Sequence, residues 1–99
     1  MIAITQYVVA PVPFTHAHIV LPWDSKRLHA GLAGGHFCLW VLTNGQRLET
    51  EVHFVMLRPG DRLPPTGELF YVTTVPLGEG DAVGHIFEQR VRTAVMVAR

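Results

Sequence analysis

Along most of this chain apolar and polar residues alternate with a spacing of two, and turn-forming residues interrupt the alternation at short intervals. That is the signature of strands rather than helices. Residues 2–9 form the first predicted strand, closed by Pro11 and Pro13, and residues 14–21 the second, ended by Pro22. Residues 24–32 are ambiguous. Asp24 or Ser25 is suited to cap a short helix, yet Leu28, Ala30 and Leu32 alternate, and a strand is the preferred reading. Gly34-Gly35 makes a turn into residues 37–42, which are apolar on both faces and so suit a central strand covered on each side. Asn44-Gly45 tolerates the positive φ of a type I′ turn and predicts a hairpin there. In residues 50–57 Val52, Phe54 and Met56 face one way, Glu51 and His53 the other. Residues 58–65, with three prolines, read as a loop. Two more strands follow at 69–75 and 83–91, separated by the turn Gly78-Glu79-Gly80-Asp81.

About seven short strands with frequent turns predict a mostly β, single-domain protein, a small antiparallel sandwich or barrel. Residues 92–99 suit a last strand or a short helix, and 90–99 read as a tail extension. No internal repeat is visible.

Composition adds one expectation. Hydrophobic residues make up 48% of the 99 and charged residues only 16%, against a usual charged share of about 25%. Surplus apolar residues on a small domain need something other than water to face, so a homo-oligomer is expected. Eight basic and eight acidic side chains cancel, which gives no strong signal for nucleic acid or an anionic membrane. A single cysteine, Cys38, in an apolar run fits a reducing compartment and reads as a small buried hydrophobe. With no signal-peptide pattern and no apolar run approaching the ~20 residues of a membrane helix, the expected location is cytoplasmic.

Six histidines bring metal chemistry forward. His16-Ala17-His18 lies in a predicted strand, where residues two apart share a face with Cα atoms ~6.6 Å apart, close enough for two imidazoles to meet at one divalent metal. A third ligand is not identified by spacing. The same face carries Phe14 and Val20, so a half-buried strand surface is the competing reading. His-x-His followed by Pro59-Gly60-Asp61 looks like the cupins, metal-holding β-barrels. However, Pro22-Trp23-Asp24 stands where a cupin places its Glu, and no histidine follows Gly67. His85 shares a strand face with Val83 and Phe87, while Ile86, Glu88 and Arg90 point the other way. A hydrogen-bonded core histidine is the default there, and the wall of a pocket, with Thr74 nearby if the last two strands pair, is the functional alternative. Alternation excludes a His85–Glu88 dyad on one face.

Nucleophile and phosphate-loop motifs are missing. The sole serine, Ser25, stands in no Gly-x-Ser-x-Gly elbow, and there is no Walker A sequence. Catalysis is therefore not expected, and neither is a cofactor. Trp40 reads first as a core tryptophan. Trp23, at a strand end beside Arg27, is placed to stack on a base or anchor an interface.

In order along the chain stand His18-Ile19-Val20-Leu21-Pro22, Cys38-Leu39-Trp40-Val41, Tyr71-Val72-Thr73-Thr74-Val75 and Gly84-His85-Ile86-Phe87-Glu88. Together with the opening strand they resemble a family of short, uncharacterised proteins of bacteriophages and prophages, a domain of unknown function, from about Ile2 to Glu88. The resemblance implies a phage accessory protein in the host cytoplasm that binds a host defence protein or a small nucleotide-like ligand. The ligand-binding candidates are Trp40, Thr74, His85, Trp23 and Arg27. A metal-dependent, cupin-like enzyme using His16 and His18, and a virion-associated structural module, are the alternatives.

Overall fold

The computed structural model describes residues 2–23, 25–44, 48–64, 67–78 and 80–90. Every regular element among them is a strand: β1 (Ala3–Pro11), β2 (His16–Pro22), β3 (Lys26–Ala33), β4 (His36–Thr43), β5 (Glu49–Leu57), β6 (Glu68–Pro76) and β7 (Val83–Arg90). The ambiguous segment is thus a strand, β3. The expected tail lies outside the described residues, apart from Arg90 at the end of β7.

The strands form two antiparallel sheets, one of three strands in the order β1-β4-β3 and one of four in the order β2-β5-β7-β6. Facing side chains fill the space between them, so the molecule is a sandwich. The barrel alternative is corrected, because each sheet keeps two edges rather than closing on the other. A second correction concerns Asn44-Gly45. The strands on either side of it, β4 and β5, belong to different sheets and do not pair. Asn44 starts a crossover between layers, and Gly45 is outside the described residues. The true hairpins are β3–β4 and β6–β7. Gly34 and Gly35 turn the first of these with φ of 58° and 80°, values open to glycine and costly for β-branched residues.

The core forms where inward positions of both sheets meet. Phe37, Leu39 and Val41 of β4 face Val52, Phe54 and Met56 of β5, with Leu21, Val75 and Ile86 alongside. Phe37 and Phe54 pack edge to face at 5.1 Å between ring centroids. Phe14 lies before β2 and turns inward to stack on Phe37 at 6.0 Å, so it does not share the His16/His18 face as alternation suggests.

Three strands carry one extra residue relative to their partners, at Val9 in β1, Leu28 in β3 and Val72 in β6. A bulge breaks the period of two. In β3, Arg27 pairs with the inward Val41, whereas His29, two residues on, pairs with the outward Trp40. Arg27 therefore points between the sheets. There its guanidinium donates to Glu88, the one buried charged residue described, and Arg90 Nε donates to the second oxygen of the same carboxylate at 3.0 Å. Burial pushes the Glu88 carboxyl up, but the hydrogen bonds and charges of the two arginines outweigh it and hold the group below 4.5, the value of an unperturbed glutamate.

Three consequences can be measured. Phe54→Ala removes a fully buried ring from the centre of the sandwich and should cost about 3–5 kcal/mol in urea unfolding, a large share of the roughly 5–15 kcal/mol typical of a domain. The Glu88 clamp should make stability acid-sensitive. A folded carboxyl that titrates below its unfolded counterpart contributes fully above about pH 5, and the contribution is lost as pH falls through the folded value. Thermal midpoints of the native protein should drop below about pH 5 more steeply than those of Glu88→Gln, and parallel profiles would show that the clamp is not the acid-labile element. Arg27→Leu should cost about 1–3 kcal/mol at neutral pH by leaving one carboxylate oxygen poorly satisfied.

Candidate functional site

The register assigns every candidate side chain to a face. On the outer face of the four-stranded sheet β2 contributes His16 and His18, β5 contributes Glu51, His53, Val55 and Leu57, β7 contributes His85 and Phe87, and β6 contributes Tyr71 and Thr74. Four of the six histidines thus share one surface. The inward residues of β7 are instead Gly84, Ile86 and Glu88, all buried. His85 is accordingly a half-buried residue of an outer face rather than part of the core.

Thr74 and His85 do pair across β6 and β7. The Thr74 hydroxyl and His85 Nδ1 are 2.8 Å apart, and the Tyr71 hydroxyl lies 2.6 Å from Thr74 Oγ1. The bulge at Val72 makes this chain of three feasible. Residues three apart in a regular strand face opposite ways, but the extra residue brings Tyr71 and Thr74 to the same face. Tyr71 also packs edge to face on Phe87 at 5.8 Å. With His85 Nδ1 accepting, Tyr71 donates to Thr74 and Thr74 to the imidazole. With Nδ1 protonated, the direction reverses. Either way the three groups offer a polar stripe on an apolar backing, suited to holding a ligand.

His16 and His18 share a face, as the spacing implies, but their neighbours differ. His16 stands opposite Val55, whereas His18 stands opposite His53, with ring centroids 5.7 Å apart. His53 Nε2 donates to Glu51 at 3.0 Å, and His18 Nε2 lies 3.8 Å from the other oxygen of that carboxylate. These groups are exposed, and His53 is held to Glu51 by its hydrogen bond. Among the described residues no group of three or more His, Cys, Asp or Glu side chains is arranged to hold a metal ion.

Trp40 is also off the core. It projects from the outer face of the three-stranded sheet, half-buried, with His29 tilted against it at 5.2 Å. Cys38 on the same row is buried, its thiol donating to the His36 carbonyl. Trp23 is 64% exposed and borders a cleft shared with His53 and Glu88. Arg27 does not join it as a free cation, since its guanidinium is engaged between the sheets. The candidates therefore fall into separate places: Thr74 and His85 on one outer face, Trp40 on the other, Trp23 at an end, and Arg27 on the edge strand β3, partly exposed and turned toward Glu88. Alternation places Glu51 and His53 on one strand face, but their meeting with His18, and that of Tyr71 with Thr74, depends on strand pairing and a bulge that the sequence does not mark. No helix among the described residues is long and apolar enough to cross a membrane.

Comparison with curated proteins and with solved structures finds no match. A family match covers residues 1–95, reaching past Glu88, where the resemblance in the sequence ends. The chain belongs to DUF7352, a family defined as a domain of unknown function.

Proposed function

We propose that the protein is a non-enzymatic binding protein that works as a homo-oligomer, in the host-cytoplasmic phage setting its sequence resemblance implies. One observation carries this reading: the outer face of the three-stranded sheet presents Ile4, Val8, Trp40 and Leu42 beside the uncharged polar Gln6 and the imidazoles of His29 and His36, and among the described residues no layer covers it. Ile4 pairs with Leu42 and Val8 with Cys38 across β1 and β4, with Gly31 of β3 beyond Cys38. Ile4 and Val8 are 67% and 57% exposed. Complete burial of such side chains is worth about 1.5–3 kcal/mol each. The face is about 27 by 14 Å, so joining two would cover roughly 800 Å² of flat area, at the small end of protein–protein interfaces. Among the described residues Lys26 is its one permanent charge, so two copies can meet there with little like-charge repulsion.

Joining through the edges is the less favourable route. β1 carries a bulge and ends at Pro11, β2 lies between Pro13 and Pro22, β3 carries a bulge, and β6 carries a bulge and ends at Pro76. These devices blunt strand addition. A host protein could cover the same face, and the metal-dependent alternative rests on His16 and His18, which lack a third convergent ligand among the described residues.

Light scattering on the purified protein should give a mass that is a multiple of 11.0 kDa. Ile4→Glu combined with Val8→Glu should shift it to the monomer while leaving the far-ultraviolet circular dichroism unchanged. A native protein that is monomeric at all concentrations ends the proposal.

A further inference from the structure

A cavity of about 530 Å³ opens where the start of β2, the end of β5 and the segment after β5 come together. Its size falls within the ~300–1,000 Å³ of small-molecule sites. Phe14, Met56, Leu57 and Leu63 make it apolar, while Arg58, Arg62, His16 and Asp61 add polar groups. None of the residues singled out for ligand binding from the sequence lies in it. His16, singled out for metal, does.

The walls are fixed by short-range bonds. Met56 N donates to the Thr15 carbonyl at 3.1 Å, which ties the lead-in to β2 onto β5. Arg58 N donates to Asp61 Oδ2 at 2.8 Å, and Asp61 N donates back to the Arg58 carbonyl at 2.9 Å. This closed turn sets where Arg58 and Arg62 leave the backbone, and Pro59 and Pro64 restrict the chain around it.

The charges around the cavity are unbalanced. Two guanidinium groups and one imidazole accompany a single carboxylate, and one oxygen of that carboxylate is already bound to the Arg58 amide. No ion pair engages either guanidinium among the described residues, in contrast to Arg27 and Arg90, which both bind Glu88. Guanidinium forks match the oxygens of phosphate and carboxylate. A phosphate monoester presents three terminal oxygens, enough to occupy two forks and an imidazole together, whereas a carboxylate presents two.

We infer that this cavity is a binding site for a small phosphate monoester with an apolar or aromatic body. The phosphate lies against Arg58, Arg62 and His16, and the body against Phe14, Met56 and Leu63. The inference is independent of self-association, since the cavity shares no residue with the apolar face of the three-stranded sheet.

Calorimetric titration of the intact protein with phenyl phosphate, benzoate and inorganic phosphate tests it. Phenyl phosphate should bind saturably and more tightly than either of the others. The variant Arg58→Gln/Arg62→Gln, both positions being exposed, should bind it more than tenfold more weakly with an unchanged unfolding midpoint. Chemical-shift mapping on the native protein, which needs no variant, should place the perturbed amides at residues 14–16 and 55–64. The inference is overturned if phenyl phosphate does not saturate at millimolar concentration, if inorganic phosphate or benzoate binds equally well, or if the shifts map elsewhere.

Discussion

A carboxylate carried by an inner strand into the gap between two sheets must find a cation there, because an uncompensated buried charge costs several kcal/mol. Glu88 meets that condition through Arg27 of the opposite sheet and Arg90 two residues along its own strand. The arrangement depends on register. Without the extra residue at Leu28, Arg27 and His29 would face the same way, and one of the two pairings, with Glu88 or with Trp40, would be lost. A single inserted residue thus joins the layers by charge and keeps His29 against Trp40 on the outer face of the three-stranded sheet.

Much of the architecture was legible in the sequence. Each of the seven strands lies within a few residues of its predicted place, because alternation and turn residues are local properties. Gly34-Gly35 turns the β3–β4 hairpin for the same reason, whereas the Gly78-Glu79-Gly80-Asp81 turn includes Glu79, which lies outside the described residues. What alternation does not reveal is which face is inward when both carry apolar groups. In β7, Val83 and Phe87 flank His85, so that face looks like the core side, and Glu88 marks the other as solvent. The reverse holds, since Arg27 neutralises Glu88 from a strand 61 residues away in sequence. Sheet membership was equally hidden. Asn44-Gly45 has favourable hairpin chemistry, yet its two flanking strands gain more by placing Leu39 and Phe54 face to face across the core.

The candidate sites were legible only in fragments. The proximity of Thr74 and His85 followed from pairing the last two strands. Tyr71 did not follow, because the bulge that turns it toward Thr74 has no sequence mark. Arg58 and Arg62 sit in a segment read as a loop, and their setting depends on Phe14 and Met56, which come from distant parts of the chain.

The blunted edges also limit how large any assembly can grow. A sheet that accepts new strands at its rim can lengthen without end, as fibrils do. On the proposed reading, in which copies meet through one broad face, that face is used up when a chain meets its twin, and a two-fold pair is then complete. For a protein so rich in nonpolar side chains, bulges and prolines at the rims separate a finite particle from a precipitate.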